Sequence, residues 1–155
     1  MKQIIHSVHI HAAPSVVYRG LTTAAGLRQW WTTKVVAEER EGGIIAFTFG
    51  GDFNPQMKQA VLTPDRTVKW VCVGGHENWQ DNGFTFALDA RKGETMLLFS
   101  QDYARELSDE TYGTYNFNWG YYLNSLKQFV EKNAGTPFVP ATISQPALTT
   151  PRKEN

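Results

Sequence analysis

Apolar side chains along this 155-residue chain follow two periods. Across residues 3–103 they alternate with polar ones in short runs. Across residues 112–132 they return every three or four positions. The first pattern predicts strands and the second a long helix.

The alternating part divides cleanly. Residues 3–11 place Ile4, His6, Val8 and Ile10 on one face and Ile5, Ser7, His9 and His11 on the other. Pro14 ends that strand and suits the first turn of a helix, where Val17, Leu21 and Tyr18 form a short apolar face. A second short helix over 24–31 closes on the pair Trp30-Trp31. Residues 35–40, 44–49, 57–62, 68–73, 84–89 and 95–103 then read as strands. Gly42-Gly43, Pro64-Asp65-Arg66 and Arg91-Lys92-Gly93 supply turn chemistry between them. Residues 74–83 form a polar loop.

The helical stretch aligns Tyr112, Tyr115, Trp119, Tyr122, Leu123, Leu126, Phe129 and Val130 within one broad stripe. A stripe that bulky calls for a wide, concave apolar partner. Consecutive strands with short turns form an antiparallel meander. The expected architecture is therefore α+β: a curved antiparallel sheet of about six to seven strands around a long C-terminal helix, with two short helices after the first strand. The first strand is expected to complete the sheet's edge. Residues 1–133 are read as a single domain. Residues 134–155 hold four of the seven prolines, at 137, 140, 146 and 151, and are expected as an extended tail outside the core.

Composition narrows the function. Fifteen basic and fifteen acidic side chains give zero formal charge, which argues against nucleic acid or anionic lipid as the partner. Cys72 is the single cysteine, so no intrachain disulfide forms, and a reducing, cytoplasmic setting is expected. The N-terminus shows no apolar signal core, and no run is long enough to span a membrane.

Several motifs resemble the opening and closing segments of Activator of Hsp90 ATPase homologue (Aha-type) domains in the START-like, SRPBCC superfamily. They are Pro14-x-x-Val17-Tyr18-x-x-Leu21-Thr22, Leu27-x-x-Trp30-Trp31, Gly42-Gly43 before a strand, Pro64 before Val68-Lys69-Trp70, Gly93-Glu94-Thr95, and Trp119-x-x-x-Leu123-x-x-Leu126. The resemblance covers residues 4–132 and implies a helix-grip fold. It also implies a possible chaperone contact. The superfamily has no single catalytic signature, so it assigns no catalytic residue.

Candidate chemistry is sparse. His9 and His11 share a strand face at a spacing that can chelate, yet the sequence positions no third ligand, and no metal is assigned. His76-Glu77-Asn78-Trp79-Gln80 begins like a zinc-peptidase motif but has glutamine where the second histidine belongs. Cys72 reads as a small buried apolar residue. The pairs Asp102/Glu106 and Glu38/Glu41 read as surface charge. No cofactor loop is present.

The aromatic residues carry the functional signal. Trp31, Phe47, Phe49, Trp70, Phe86, Phe99, Tyr115, Trp119 and Tyr122 are expected to point between sheet and helix, with His76 and Trp79 at the mouth. The expected function is binding of a small hydrophobic or amphipathic molecule in a cavity there, for transport or sensing. Two alternatives stand beside it. One is a cyclase- or aromatase-like enzyme using the same cavity. The other is a chaperone-associated interaction domain.

Overall fold

The computed structural model describes residues 2–141. The chain order is β1 (Gln3–Ile10), α1 (Pro14–Thr22), α2 (Ala24–Trp30), β2 (Lys34–Ala37), β3 (Ile44–Thr48), β4 (Gln56–Thr63), β5 (Thr67–Gly74), β6 (Gly83–Arg91), β7 (Glu94–Asp102) and α3 (Asp109–Lys132). The strands form one seven-stranded sheet in the order β1-β7-β6-β5-β4-β3-β2, with every neighbouring pair antiparallel. β2 to β7 are the expected meander. β1 adds to β7 with Gln3 opposite Asp102 and Ile10 opposite Thr95.

Strand alternation settles which face turns inward. Ile4 and Ile10 are buried on β1, Val68, Trp70 and Cys72 on β5, Phe84, Phe86 and Leu88 on β6, and Leu97 and Phe99 on β7. Register shifts in β4 at Gln56/Met57 and Gln59/Val61 bend the sheet, as bulges do. The resulting hollow receives α3, which buries Tyr112, Tyr115, Trp119, Tyr122, Leu123, Ser125 and Leu126. Phe129 and Val130, expected in the same stripe, are half-buried. α3 also shields the open edge of β1: Lys127 Nζ donates to the His9 carbonyl at 2.6 Å, and the His11 amide donates to Glu131 Oε2 at 2.7 Å.

α1 and α2 share a single junction residue. Thr23 ends α1, and its hydroxyl accepts from the Gly26 amide at 3.0 Å to begin α2. Gly26 lies so close to α1 that an added Cβ would sit 2.7 Å from the Gly20 Cα, so only glycine allows this packing.

The segment after α3 departs from the expected detached tail. Thr32 and Phe138 form a parallel bridge, with the Phe138 amide donating to the Trp31 carbonyl at 2.8 Å and the Thr33 amide to the Phe138 carbonyl at 2.9 Å. The Thr136 amide donates to Ser125 Oγ, which donates in turn to the Trp30 carbonyl, at 2.7 and 2.8 Å. Phe138 packs on the core. The reason is chemical: extended residues with free amides and one phenylalanine meet open backbone groups at the end of α2. The remainder of the expected tail, 142–155, lies outside the described residues.

Candidate functional site

The space between sheet and α3 is occupied by aromatic rings touching one another. Trp31, at the end of α2, sits at the centre. Its ring stacks on Trp119 at 5.1 Å, Trp70 at 6.0 Å and Trp79 at 6.2 Å, and meets Phe47 and Phe49 edge-on at 4.5 and 5.1 Å. Trp119 reaches β7 and β6 through Phe99 at 4.3 Å and Phe86 at 6.4 Å. These are the separations at which rings pack directly.

Eight of the nine residues expected between sheet and helix therefore meet in one cluster. Tyr115 joins it through Trp79 at 5.3 Å. Tyr122 is buried further along α3, beside Tyr121 and the groove that also holds Phe138. Trp79, expected at the rim, is fully inside: its loop folds inward, and the ring lies against Phe53, Phe84 and Trp119. His76 is half-buried at the outer side of Phe53, 5.4 Å away, and its Nδ1 accepts from the Asn78 amide within a turn.

Four further residues belong to the site. Phe53 and Phe84 complete the ring contacts, and Gln101 and Tyr103 extend the inward face of β7 beyond Phe99. Phe84, Gln101 and Tyr103 were readable from the alternation that places Phe86 and Phe99; Phe53 sits in a loop, where no period marks it.

Polar groups inside the cluster are unevenly satisfied. Trp119 Nε1 donates to Gln101 Oε1 at 2.8 Å, and Asn78 Nδ2 donates to the Tyr115 hydroxyl at 3.3 Å. Trp70 Nε1, Trp79 Nε1, Gln101 Nε2 and the Tyr103 hydroxyl are buried without a hydrogen-bond partner in the protein. Burial pushes the Tyr103 phenol far above the ordinary tyrosine range. Trp79 Nε1 approaches that hydroxyl closely enough to offset part of the rise, but the two do not close a hydrogen bond.

The other candidates are structural. Burial raises the Cys72 thiol above its ordinary range, as for a structural cysteine, and its Sγ donates to the Gly74 carbonyl at 3.2 Å. Glu38 and Glu41 accept from the Ile44 and Leu62 amides at 2.8 and 3.0 Å, and Asp102 accepts from Gln3 Nε2 at 2.5 Å. These carboxylates fasten turns and an edge, not a reaction centre. Among the described residues, surface depressions also lie apart from the rings. A cleft of about 540 Å³ runs between α1, α2 and the end of α3, and a groove of about 510 Å³ follows α3 between Phe117, Tyr121, Phe138 and Val139.

The chain matches the family Activator of Hsp90 ATPase homolog 1-like protein over residues 11–131, and it belongs to that family. It is similar to the Aha1 dimer of Colwellia psychrerythraea, with 32% identity and a TM-score of 0.78 over 87% of this chain and 100% of the other. Protein MLL2253 of Mesorhizobium loti shares the fold at 18% identity and a TM-score of 0.74, over 84% of this chain and 98% of the other. CalU16 of Micromonospora echinospora shares it at 16% identity and a TM-score of 0.70, over 86% and 76%. No match was found among curated protein sequences. The START-like helix-grip assignment follows from both the family and the fold. Among the described residues no helix is long and apolar enough to cross a membrane.

Proposed function

We propose that this domain binds a small aromatic or otherwise apolar molecule that carries acceptor oxygens, between the sheet and α3. One observation carries the reading: Trp70 Nε1, Trp79 Nε1, Gln101 Nε2 and the Tyr103 hydroxyl are buried without a partner around a single ring cluster. An unsatisfied buried donor costs about 1–3 kcal/mol, so a core serving stability alone would do better with apolar groups there. A guest with carbonyl or phenolic oxygens would satisfy them. The ring faces would supply apolar contact worth about 25 cal/mol per Å² buried. Because the rings already meet at contact distance, uptake requires the cluster to part. The side that carries His76 and Trp79 is a loop, and loops open most easily.

Binding fits these groups better than cyclase-type chemistry. Tyr103 stays protonated far above neutral pH, and Gln101 does not titrate, so neither is matched to proton transfer.

Native mass spectrometry of freshly purified protein would look for a co-purified molecule. Tryptophan fluorescence would follow titration with a planar aromatic ketone. Tyr103→Phe removes one orphaned hydroxyl; it is expected to retain or raise stability while weakening probe binding about tenfold, the equivalent of one hydrogen bond of about 1.4 kcal/mol. Saturable binding of equal affinity in Tyr103→Phe and Trp70→Phe, or none in the parent, would count against the reading.

A second reading rests on the outer side of α3. Phe117 is 75%, Tyr121 51% and Val139 71% exposed, and all three border the groove that holds Phe138. The 32%-identical Colwellia relative is a dimer, which supports self-association through such a surface. Light scattering on the parent and Phe117→Glu proteins would separate a dimer from a monomer. A chaperone contact, which family membership makes reasonable, would show as ATPase stimulation on mixing with Hsp90.

A further inference from the structure

The outer face of the sheet carries a second constellation, remote from the rings. His9 on the outer face of β1 and His11, the first residue beyond its end, stand two residues apart. Antiparallel pairing sets Ile10 against Thr95, so the first residue of β7, Glu94, falls beside His11. The carboxylate turns toward both imidazoles: Oε1 lies 2.9 Å from His9 Nε2, and Oε2 lies 3.1 Å from His11 Nδ1. The three donor atoms all lie within 4.8 Å of one another. The imidazole rings are 4.5 Å apart, inclined at 55°.

The geometry points to a divalent transition-metal site formed by His9, His11 and Glu94. Zinc takes nitrogen at about 2.0–2.1 Å and carboxylate oxygen at about 2.0–2.2 Å, so tetrahedral ligands stand about 3.4 Å apart. The observed separations reach that value with small rotations of exposed side chains. Two imidazoles and one carboxylate suit Zn(II), Co(II), Ni(II) or Cu(II) and leave at least one coordination position for water. A neutral imidazole presents one lone pair and one N–H. In this arrangement an ion would replace the protons now shared with Glu94.

The surroundings favour a fixed site. Arg91, opposite Glu94 on β6, is held by Asp89 at 2.7 Å and does not occupy the carboxylate. The backbone under both histidines is also anchored. The His9 carbonyl accepts from Lys127 and the His11 amide donates to Glu131, so α3 holds this end of β1 in place. An ion here would clamp the edge strand to its neighbour just before the chain turns into α1.

Calorimetric titration of the untagged full chain with Zn(II) tests the assignment, with Co(II) absorption as the signature of direct coordination. The expected result is saturable one-to-one binding, weakened about tenfold or more by His9→Ala, His11→Ala or Glu94→Gln. His6→Ala and His76→Ala should bind like the parent, because His6 faces Asn116 on α3 and His76 lies beside Phe53. The thermal midpoint of the parent should rise with zinc, and that of the His9→Ala/His11→Ala variant should not. All three ligands are on the surface, so far-ultraviolet circular dichroism of the variants should match the parent. Absence of saturable binding, or binding of equal strength in the double variant, would overturn the site.

Discussion

Trp31 joins the three parts of the interior: it terminates α2, its ring touches residues of β3, β5 and α3, and its carbonyl receives Phe138. Trp119 answers it from α3 and ties its own indole to Gln101 at 2.8 Å. Trp119→Ala should therefore cost about 3–5 kcal/mol, read from the denaturant midpoint, and it strands the Gln101 carbonyl as well. A loss below about 1 kcal/mol would mean that the helix does not depend on this ring. Most of the ring residues were legible because strand alternation and helical spacing both put them on the inward side. Trp79 and Phe53 were not: they stand in loops, where direction comes from tertiary folding and no period records it. The third member of the surface constellation was hidden for another reason. Glu94 lies 83 residues from His11, and only the register of β1 on β7 brings the two together.

At the level of elements, agreement is closest where periodicity is long. The strands lie where alternation places them, with ends shifted by a few residues. α3 begins earlier than its apolar stripe, at Asp109, because the stripe marks what is buried and not where the helix starts. The start is written in polar residues. Ser108 caps the helix by accepting from the Thr111 amide at 3.1 Å, and Asp109 and Glu110 sit in the first turn, where the helix dipole favours negative charge. Ser108→Ala should lower stability by about 1 kcal/mol, seen as a shift in denaturant midpoint at constant slope. Ser108→Asp should restore most of the loss, since aspartate caps as well as serine. Equal loss in both variants would place the effect outside the cap.

Across the whole molecule, the last described residues act as part of the domain and not as an appendage. Gly135 passes so close to α2 that an added Cβ would lie 2.1 Å from the Gln29 carbonyl oxygen, an approach only glycine permits. The segment then gives its Thr136 amide to Ser125, exchanges two backbone hydrogen bonds around Trp31 and lays Phe138 against Phe49 at 5.6 Å. Proline content had suggested a detached tail; prolines only keep the segment extended, and an extended strand with free amides is what the end of α2 can pair with. Two truncations separate these views. Removing residues 134–155 discards four hydrogen bonds at about 1 kcal/mol each and the apolar contact of the half-buried Phe138, so stability should fall by several kcal/mol. Removing only residues 142–155 keeps every one of those contacts, and the difference in midpoint between the two proteins measures what the segment contributes. If the two truncated proteins unfold together, the bridge to Trp31 adds nothing and the domain ends with α3.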